Sequence, residues 1–372
     1  MTIIVCEASA LAKVLRDVKA VVKPRQTLAI LSHVMIDARD GQVSITATDM
    51  DIVITRTFAA EVEEAGAFTV EAGRFTDVVG SFGDGPQIKL AAADGFVKLT
   101  CNRSRFSFPT LAAADFPPMP FADPIATFDG SPRLLQALAA VRHAVATNEV
   151  RYALRGAMIA NRNGLEVVAT DGDQCLAICR PDLRADIKDL ILGVDAMDIL
   201  AKRDDEFLVE IVADSEGANS KIRFTWPDTV IIAKLIDGQF PDYRKVIPTD
   251  PTDAEVDGDD VAQALRRISM LSDDKARSVK FDFEPGKLTI TSRTALLEDV
   301  LARAGGGGVE EMPCSYSGDP MTVTFKSSIV GAAVDALDAD KVVFGLRSGQ
   351  EPVKVTSPAR ADMTLVAMPM RG

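Results

Sequence analysis

Apolar residues along this chain follow two different periods, and the change from one to the other recurs. Leu11, Val14, Leu15 and Val18 stand three and four residues apart, which places them on one face of a helix. Farther on, Val43-Ser44-Ile45-Thr46-Ala47-Thr48-Asp49 alternates apolar with polar, the period of a half-buried strand. Asp40-Gly41 precedes it and reads as a hairpin turn, because the central positions of such turns take positive φ. The order then returns twice. Leu134-Leu135-Gln136-Ala137-Leu138-Ala139-Ala140-Val141 leads to Asn163-Gly164 and Leu165-Glu166-Val167-Val168-Ala169-Thr170-Asp171. Val261-Ala262-Gln263-Ala264-Leu265-Arg266-Arg267-Ile268 leads to Pro285-Gly286 and Lys287-Leu288-Thr289-Ile290-Thr291. The turn glycines Gly41, Gly164 and Gly286 thus recur about every 122 residues, the signature of an internal repeat.

Each third also holds a second helix followed by strands. These helices are expected to begin near Gly73-Arg74-Phe75, Val194-Asp195-Ala196 and Ser327-Ser328-Ile329. Every third therefore reads as a doubled helix-plus-hairpins unit. Linkers are expected at Phe116-Pro117-Pro118-Met119-Pro120 and at Pro248-Thr249-Asp250-Pro251, where the composition shifts. The fold class is α+β, in three tandem domains over 1–121, 122–250 and 251–372. A chain of 372 residues is long enough for several cores.

Composition narrows the class. With 47% hydrophobic and 26% charged residues the chain reads as a soluble globular protein, and no apolar run approaches the length of a membrane span. The start, Met1-Thr2-Ile3-Ile4-Val5-Cys6-Glu7, has no export-signal pattern, so a cytoplasmic location is expected. Five cysteines, Cys6, Cys101, Cys175, Cys179 and Cys314, suit reduced thiols better than a disulfide framework. Cys175 and Cys179 lack the nearby His or Cys pair that would complete a zinc site; no metal and no cofactor is expected. The net charge of −13 argues at first against nucleic acid, yet the position of the cations matters more than their sum. Lys13, Arg16, Lys19 and Lys23 mark the first helix and its exit. Arg133 and Arg142, Lys202 and Arg203, and Arg266 and Arg267 mark later ones. Were these helices to face one cavity, an acidic protein would present a basic lining to phosphates without reading sequence. The alternative is that they are ordinary solvated helix faces.

Motifs for catalysis are absent. The glycine run at Gly305 is followed by Val-Glu-Glu rather than by Lys-Ser/Thr, which excludes a phosphate loop. No His-Glu-x-x-His or Gly-x-Ser-x-Gly occurs. Asp49 with Asp51, and Asp171 with Asp173, are the kind of acid pair that holds Mg²⁺ in a nuclease, which is the rival reading. Such acids at strand ends also commonly face solvent.

Several stretches together resemble the beta subunit of bacterial DNA polymerase III, the sliding-clamp family, over the whole chain. They are Arg103-Ser104-Arg105-Phe106-Ser107-Phe108-Pro109-Thr110-Leu111 with Ala114-Asp115-Phe116-Pro117, Val150-Arg151-Tyr152, Ala169-Thr170-Asp171-Gly172, Asp237-Gly238-Gln239-Phe240-Pro241-Asp242-Tyr243-Arg244-Lys245-Val246-Ile247-Pro248, and Met368-Pro369-Met370-Arg371. The resemblance implies three copies of the clamp fold per chain and a head-to-tail homodimer closed into a ring, helices lining it and sheets outside. It implies a non-catalytic processivity factor that encircles duplex DNA without sequence specificity. Polymerase, clamp loader and repair factors would be its partners, held through short linear peptides. By similarity the peptide pocket would comprise Leu154, Thr170, Gly172, Leu176, Pro241, Lys245, Val246, Val366, Met368, Pro369 and Met370. Apolar walls that include Met suit varied leucine and aromatic anchors. Without the resemblance Leu154, Val246 and Met368 would read as core. DNA contacts would fall to Arg25, Asn148, Arg151 and Tyr152, with Arg103 and Arg105 weaker candidates. The subunit boundary would join Phe106 of one chain to Met270 and Leu271 of the next, although Phe106 also reads as an ordinary core aromatic.

The chain departs from the family pattern in three places. After Thr170-Asp171-Gly172 the family usually has His-Arg-Leu-Ala. Here Asp173-Gln174-Cys175-Leu176-Ala177 is one residue longer and lacks the cation, so a basic position at the pocket edge is expected to be lost. The end, Arg371-Gly372, lacks the family's terminal apolar residue, and residues 292–311, with Gly305-Gly306-Gly307-Gly308, replace an acidic loop. These differences leave room for a diverged clamp-like paralogue with altered partner preference.

Overall fold

A computed structural model describes residues 1–25, 27–147, 150–215, 217–270, 278–292 and 308–370. Among them the chain forms six α-helices: α1 (Ala8–Val18), α2 (Ala72–Gly80), α3 (Pro132–Val141), α4 (Val194–Leu200), α5 (Gly258–Met270) and α6 (Ser327–Leu337). The helix starts expected near residues 73, 194 and 327 fall at Ala72, Val194 and Ser327. In α1 the buried set Leu11, Val14, Leu15 and Val18 is the stripe that the sequence period marks. In α5 it is Val261, Ala264, Leu265 and Ile268. Glu71 caps α2 by accepting the N–H groups of Gly73 and Arg74, each at 2.8 Å.

The helices pair as the repeat suggests: α1 packs on α2, α3 on α4 and α5 on α6. One cation from each first helix or its exit reaches an aspartate of the second. Lys19 lies 3.4 Å from Asp77, Arg142 2.6 Å from Asp198, and Arg266 2.9 Å from Asp335. Much of the basic charge that the sequence places on these helices is therefore paired with carboxylates.

The chain packs as two compact units, Met1–Ser131 with Asp204–Leu235, and Pro132–Arg203 with Ile236–Gly372. The first holds a five-stranded antiparallel sheet in the order Glu61–Glu64, Thr2–Glu7, Gln87–Ala93, Phe96–Cys101, Ser104–Pro109. It also holds an eight-stranded sheet in which Thr229–Lys234 pairs with Ile52–Ala59, Ile231 opposite Ile54. That pairing fuses strands of the first and second sequence thirds. Arg56, buried at the seam, reaches Asp17 of α1 and Asp228 beside the joining strand at 2.7 Å each. The second unit holds a twelve-stranded sheet in which Cys175–Cys179 pairs with Met363–Ala367 and so fuses the second and third thirds. The two halves of the middle repeat thus belong to different units.

One turn follows the predicted chemistry and two differ in detail: Asn163-Gly164 lies in a three-residue connection, 162–164, between facing Asn161 and Leu165. Asp40 (φ 51°) and Gly41 (φ 73°) make a two-residue turn with positive φ at both positions, between Arg39 and Gln42, which lie opposite one another. Pro285-Gly286 also joins facing residues, Glu284 and Lys287, but only Gly286 has positive φ (84°), because the proline ring holds φ negative.

Candidate functional site

Within the second unit, three backbone segments converge on one apolar cluster. The first is the turn between Leu165–Thr170 and Cys175–Cys179. Thr170 Oγ1 donates to the Cys175 carbonyl (2.6 Å) and accepts the Gly172 N–H (3.0 Å). Asp171 Oδ1 accepts the N–H groups of Asp173, Gln174 and Cys175 at 2.8–3.0 Å. A carboxylate oxygen that takes three backbone donors fixes the turn. Gly172 has φ +81°, and a Cβ there would lie 2.4 Å from Arg151 Nη1 and 2.8 Å from Leu154 Cδ1. The positive φ favours glycine, and a Cβ there would displace the ends of the two side chains laid across the turn.

The second segment is the C-terminal stretch. Leu176 stands opposite Val366, so the strand that carries Val366 delivers Met368, Pro369 and Met370 beside the turn. The Met368 N–H donates to the Gln174 carbonyl (2.9 Å), and the Met370 N–H donates to the Thr324 carbonyl (2.7 Å). The third is the 3-10 turn Tyr243–Val246. The Tyr243 hydroxyl donates to buried Glu166, whose other oxygen lies 2.9 Å from Arg180 Nε. Removal from water, and then Glu166, push the Tyr243 hydroxyl above its usual range. Anchored in this way, the turn lays Val246 and Phe240 against a buried cluster that includes Met158, Val168, Leu176, Ile178 and Val366. A cavity of about 390 Å³ lies beside Lys245 and Val246, reaching Arg347, Glu351 and Pro352.

Of the eleven residues that the resemblance assigns to a pocket, Leu154, Thr170, Leu176 and Val366 are buried walls. Val246, Met368, Pro369 and Met370 are half-buried, and Gly172, Pro241 and Lys245 are exposed at the rim. The structure brings segments around residues 154, 172, 245 and 368 together. Burial pushes the nearby Cys175 thiol up to about 12, so it is inert as a nucleophile.

The candidate DNA residues are placed differently from one another. Arg25 is exposed on the loop after α1, and Tyr152 is 60% exposed beside exposed Val150. Asn148 lies outside the described residues. Arg151 is laid over the Gly172 turn: its Nη1 donates to the Asp171 carbonyl (3.2 Å) and its Nη2 lies 2.9 Å from Asp173. Sequence reasoning grouped Arg151 with the DNA contacts and gave no sign of this placement. It also missed Tyr243, Glu166 and Arg180 as a support, and Lys326, whose Nζ lies 3.4 Å from Gln174 Oε1. No local signal links residues so far apart in the chain.

Phe106 is no core aromatic. It is 40% exposed on the edge strand Ser104–Pro109, with its ring edge-on to Phe82 at 6.1 Å. Met270, at the end of α5, is 81% exposed, and Leu271 lies outside the described residues. The acid pairs of the nuclease reading are occupied. Asp49 accepts the N–H groups of Asp51 and Ile52 and pairs with Lys23 at 2.8 Å, while Asp51 pairs with Lys234 at 3.1 Å. Among the described residues no group of three or more His, Cys, Asp or Glu side chains is arranged to hold a metal. No helix among them is long and apolar enough to cross a membrane.

Family models of the DNA polymerase III beta subunit match the chain in order: the N-terminal domain over residues 1–120, the central domain over 131–242 and the C-terminal domain over 244–371. The beta sliding clamp of Caulobacter vibrioides is 31% identical over 379 residues, 98% of each chain. That of Escherichia coli is 31% identical over 381 residues, again 98% of each. Among solved structures, the sliding clamp of Bartonella birtlesii bound to griselimycin superposes with a TM-score of 0.91 at 29% identity, over 100% of both chains. The DNA polymerase sliding clamp of Pseudomonas aeruginosa with ligand gives 0.90 at 27% identity, also over 100% of both.

Proposed function

The chain belongs to the DNA polymerase III beta subunit family, and on that premise we propose how it performs the family's task as a sliding clamp. It is a non-catalytic processivity factor whose partners are DNA and the replicative polymerase; the chemistry belongs to the polymerase. Each chain contributes three clamp domains, 1–121, 122–250 and 251–372. Two chains join head to tail, Phe106 of one against Met270 and Leu271 of the other, and close into a ring around duplex DNA. Exposure of Phe106 on a sheet edge and of Met270 at a helix end supports this pairing, since a heterologous contact that closes gives a ring. Arg25, Asn148 and Tyr152 contact phosphates, as Arg151 does when it leaves Asp173. A topological link holds the ring on DNA, so that few strong phosphate contacts are needed.

Polymerase, clamp loader and repair factors dock by short peptides in the cytoplasm. Their leucine and aromatic anchors enter the pocket of Leu154, Thr170, Gly172, Leu176, Pro241, Lys245, Val246, Val366, Met368, Pro369 and Met370. The observation that carries this reading is the pairing of Leu176 with Val366, which sets the Gly172 turn beside Met368 and Met370. Half-buried methionines beside a rigid turn form an adaptable apolar surface with a fixed rim. The ring is tested by loading the protein on nicked circular plasmid and then linearising it. Retention on the circle and loss from the linear form are expected; equal loss from both would refute topological linkage.

A further inference from the structure

Lys326 sets a positive charge where two walls of the pocket meet, and we infer that this charge selects peptides that carry a carboxylate beside their apolar anchors. The inference rests on the pocket reading above and names the chemistry of its ligand. Strand Met321–Lys326 runs beside the C-terminal stretch, with the Thr324 carbonyl accepting the Met370 N–H at 2.7 Å. Lys326 ends that strand, and its Nζ lies 3.4 Å from Gln174 Oε1. The backbone carbonyl of the same Gln174 accepts the Met368 N–H at 2.9 Å. The ammonium therefore stands at the junction of the Gly172 turn with the Met368 stretch.

Two other cations beside the pocket, Arg151 and Lys245, are matched by carboxylates, and Arg244 lies over the Tyr243 ring. Arg151 lies 2.9 Å from Asp173, and Lys245 lies 3.1 Å from Asp242. The carboxylate of Asp171 is turned into its own loop by three N–H donors. Lys326 differs, because the group it touches is a neutral amide oxygen, which accepts a hydrogen bond without cancelling charge. A carboxylate that displaces this amide exchanges a neutral acceptor for an ionised one and adds the attraction of opposite charges to the hydrogen bond. The turn thus presents Gln174 to a cation delivered from a strand 152 residues away in sequence.

The test uses two fluorescent peptides with the same leucine and phenylalanine anchors, one flanked on both sides by aspartate and its twin by asparagine. Anisotropy titrations with the full-length protein compare the wild type, Lys326→Met and Lys326→Arg. At low salt the wild type should prefer the aspartate peptide about three- to fivefold, the scale of one partly exposed ion pair. The preference should vanish in Lys326→Met, persist in Lys326→Arg and fade as salt is raised. Affinity for the asparagine peptide should be the same in all three proteins. Equal binding of both peptides by the wild type, or a preference that survives in Lys326→Met, overturns the role of Lys326 while leaving the pocket intact. Failure of the wild type to bind either peptide overturns the pocket and this inference with it.

Discussion

His143 follows α3, with Nδ1 2.9 Å from the Ala140 carbonyl, and His33 is buried beside Thr69. Desolvation lowers the pKa of both rings; for His33 the Glu71 charge partly opposes it. A ring whose folded pKa lies below its unfolded value stays neutral in the fold while the unfolded chain takes up a proton. Its contribution to stability is complete above the ordinary histidine range and is lost as pH falls through about 6.5 toward the depressed value. Each ring can contribute a slope of at most about 1.4 kcal/mol per pH unit. The melting temperature is therefore expected to fall between pH 7.5 and 5.5, and less steeply in His143→Gln. A profile unchanged by that substitution would show that the ring does not titrate differently in the two states. Carboxylates enter lower down: Arg360 holds Asp362, and Arg267 holds Glu310, below the usual range, so their stabilisation is lost only under more acidic conditions.

At the level of elements, the Thr-Asp turn is built twice by the same bonds. Thr48 Oγ1 donates to the Ile52 carbonyl and accepts the Met50 N–H, as Thr170 does with Cys175 and Gly172. The Lys234 N–H donates to the Asp51 carbonyl as that of Met368 does to Gln174. Met50 (φ 76°) occupies the position of Gly172 (φ 81°), so the first turn carries a left-handed side chain where the second is covered by the ends of Arg151 and Leu154. Gly172→Ala should therefore destabilise the protein by roughly 1–2 kcal/mol through its positive φ alone. It should also push Arg151 and Leu154 off the turn and weaken peptide binding, read by thermal melting and by anisotropy. Gly41→Ala, at a similar positive φ (73°) with open space where its Cβ would stand, serves as the control. Equal effects of the two substitutions would mean that the close approach at Gly172 is relieved without loss.

For the whole molecule, the middle repeat is shared: one half completes the sheet that begins in the first third, and the other completes the sheet that ends in the last. Such sharing makes each junction a continuous backbone ladder rather than a contact between finished domains. The proposed dimer contact lies instead on Ser104–Pro109, a free edge within its own unit's sheet. An exposed edge strand is a template for pairing. Phe106→Glu sets a charge on that edge at a position 40% exposed, so the fold should survive. Sedimentation should then show monomers in place of dimers, and an undiminished dimer would move the contact elsewhere.

Much of this was written in the order of residues. The 3.6-residue stripe of Leu11, Val14, Leu15 and Val18, the alternation from Val43 to Thr48 and the turn at Asp40-Gly41 are local demands that few other backbones meet. Repetition of those patterns implied a repeated fold, and motif order gave the family. Tertiary structure alone decided which strands became neighbours across the repeats, because Ile54 opposite Ile231 and Leu176 opposite Val366 leave no periodic mark. It also decided the charges. Arg142 reads as a free helix cation until Asp198 arrives beside it, and the turn at Gln174 reads as having lost its cation until Lys326 is found there. Local propensity is set by neighbours within a few residues, whereas electrostatics depends on distance in space. Folding brings side chains far apart in sequence within 3–4 Å of each other, and the sequence order does not record that distance.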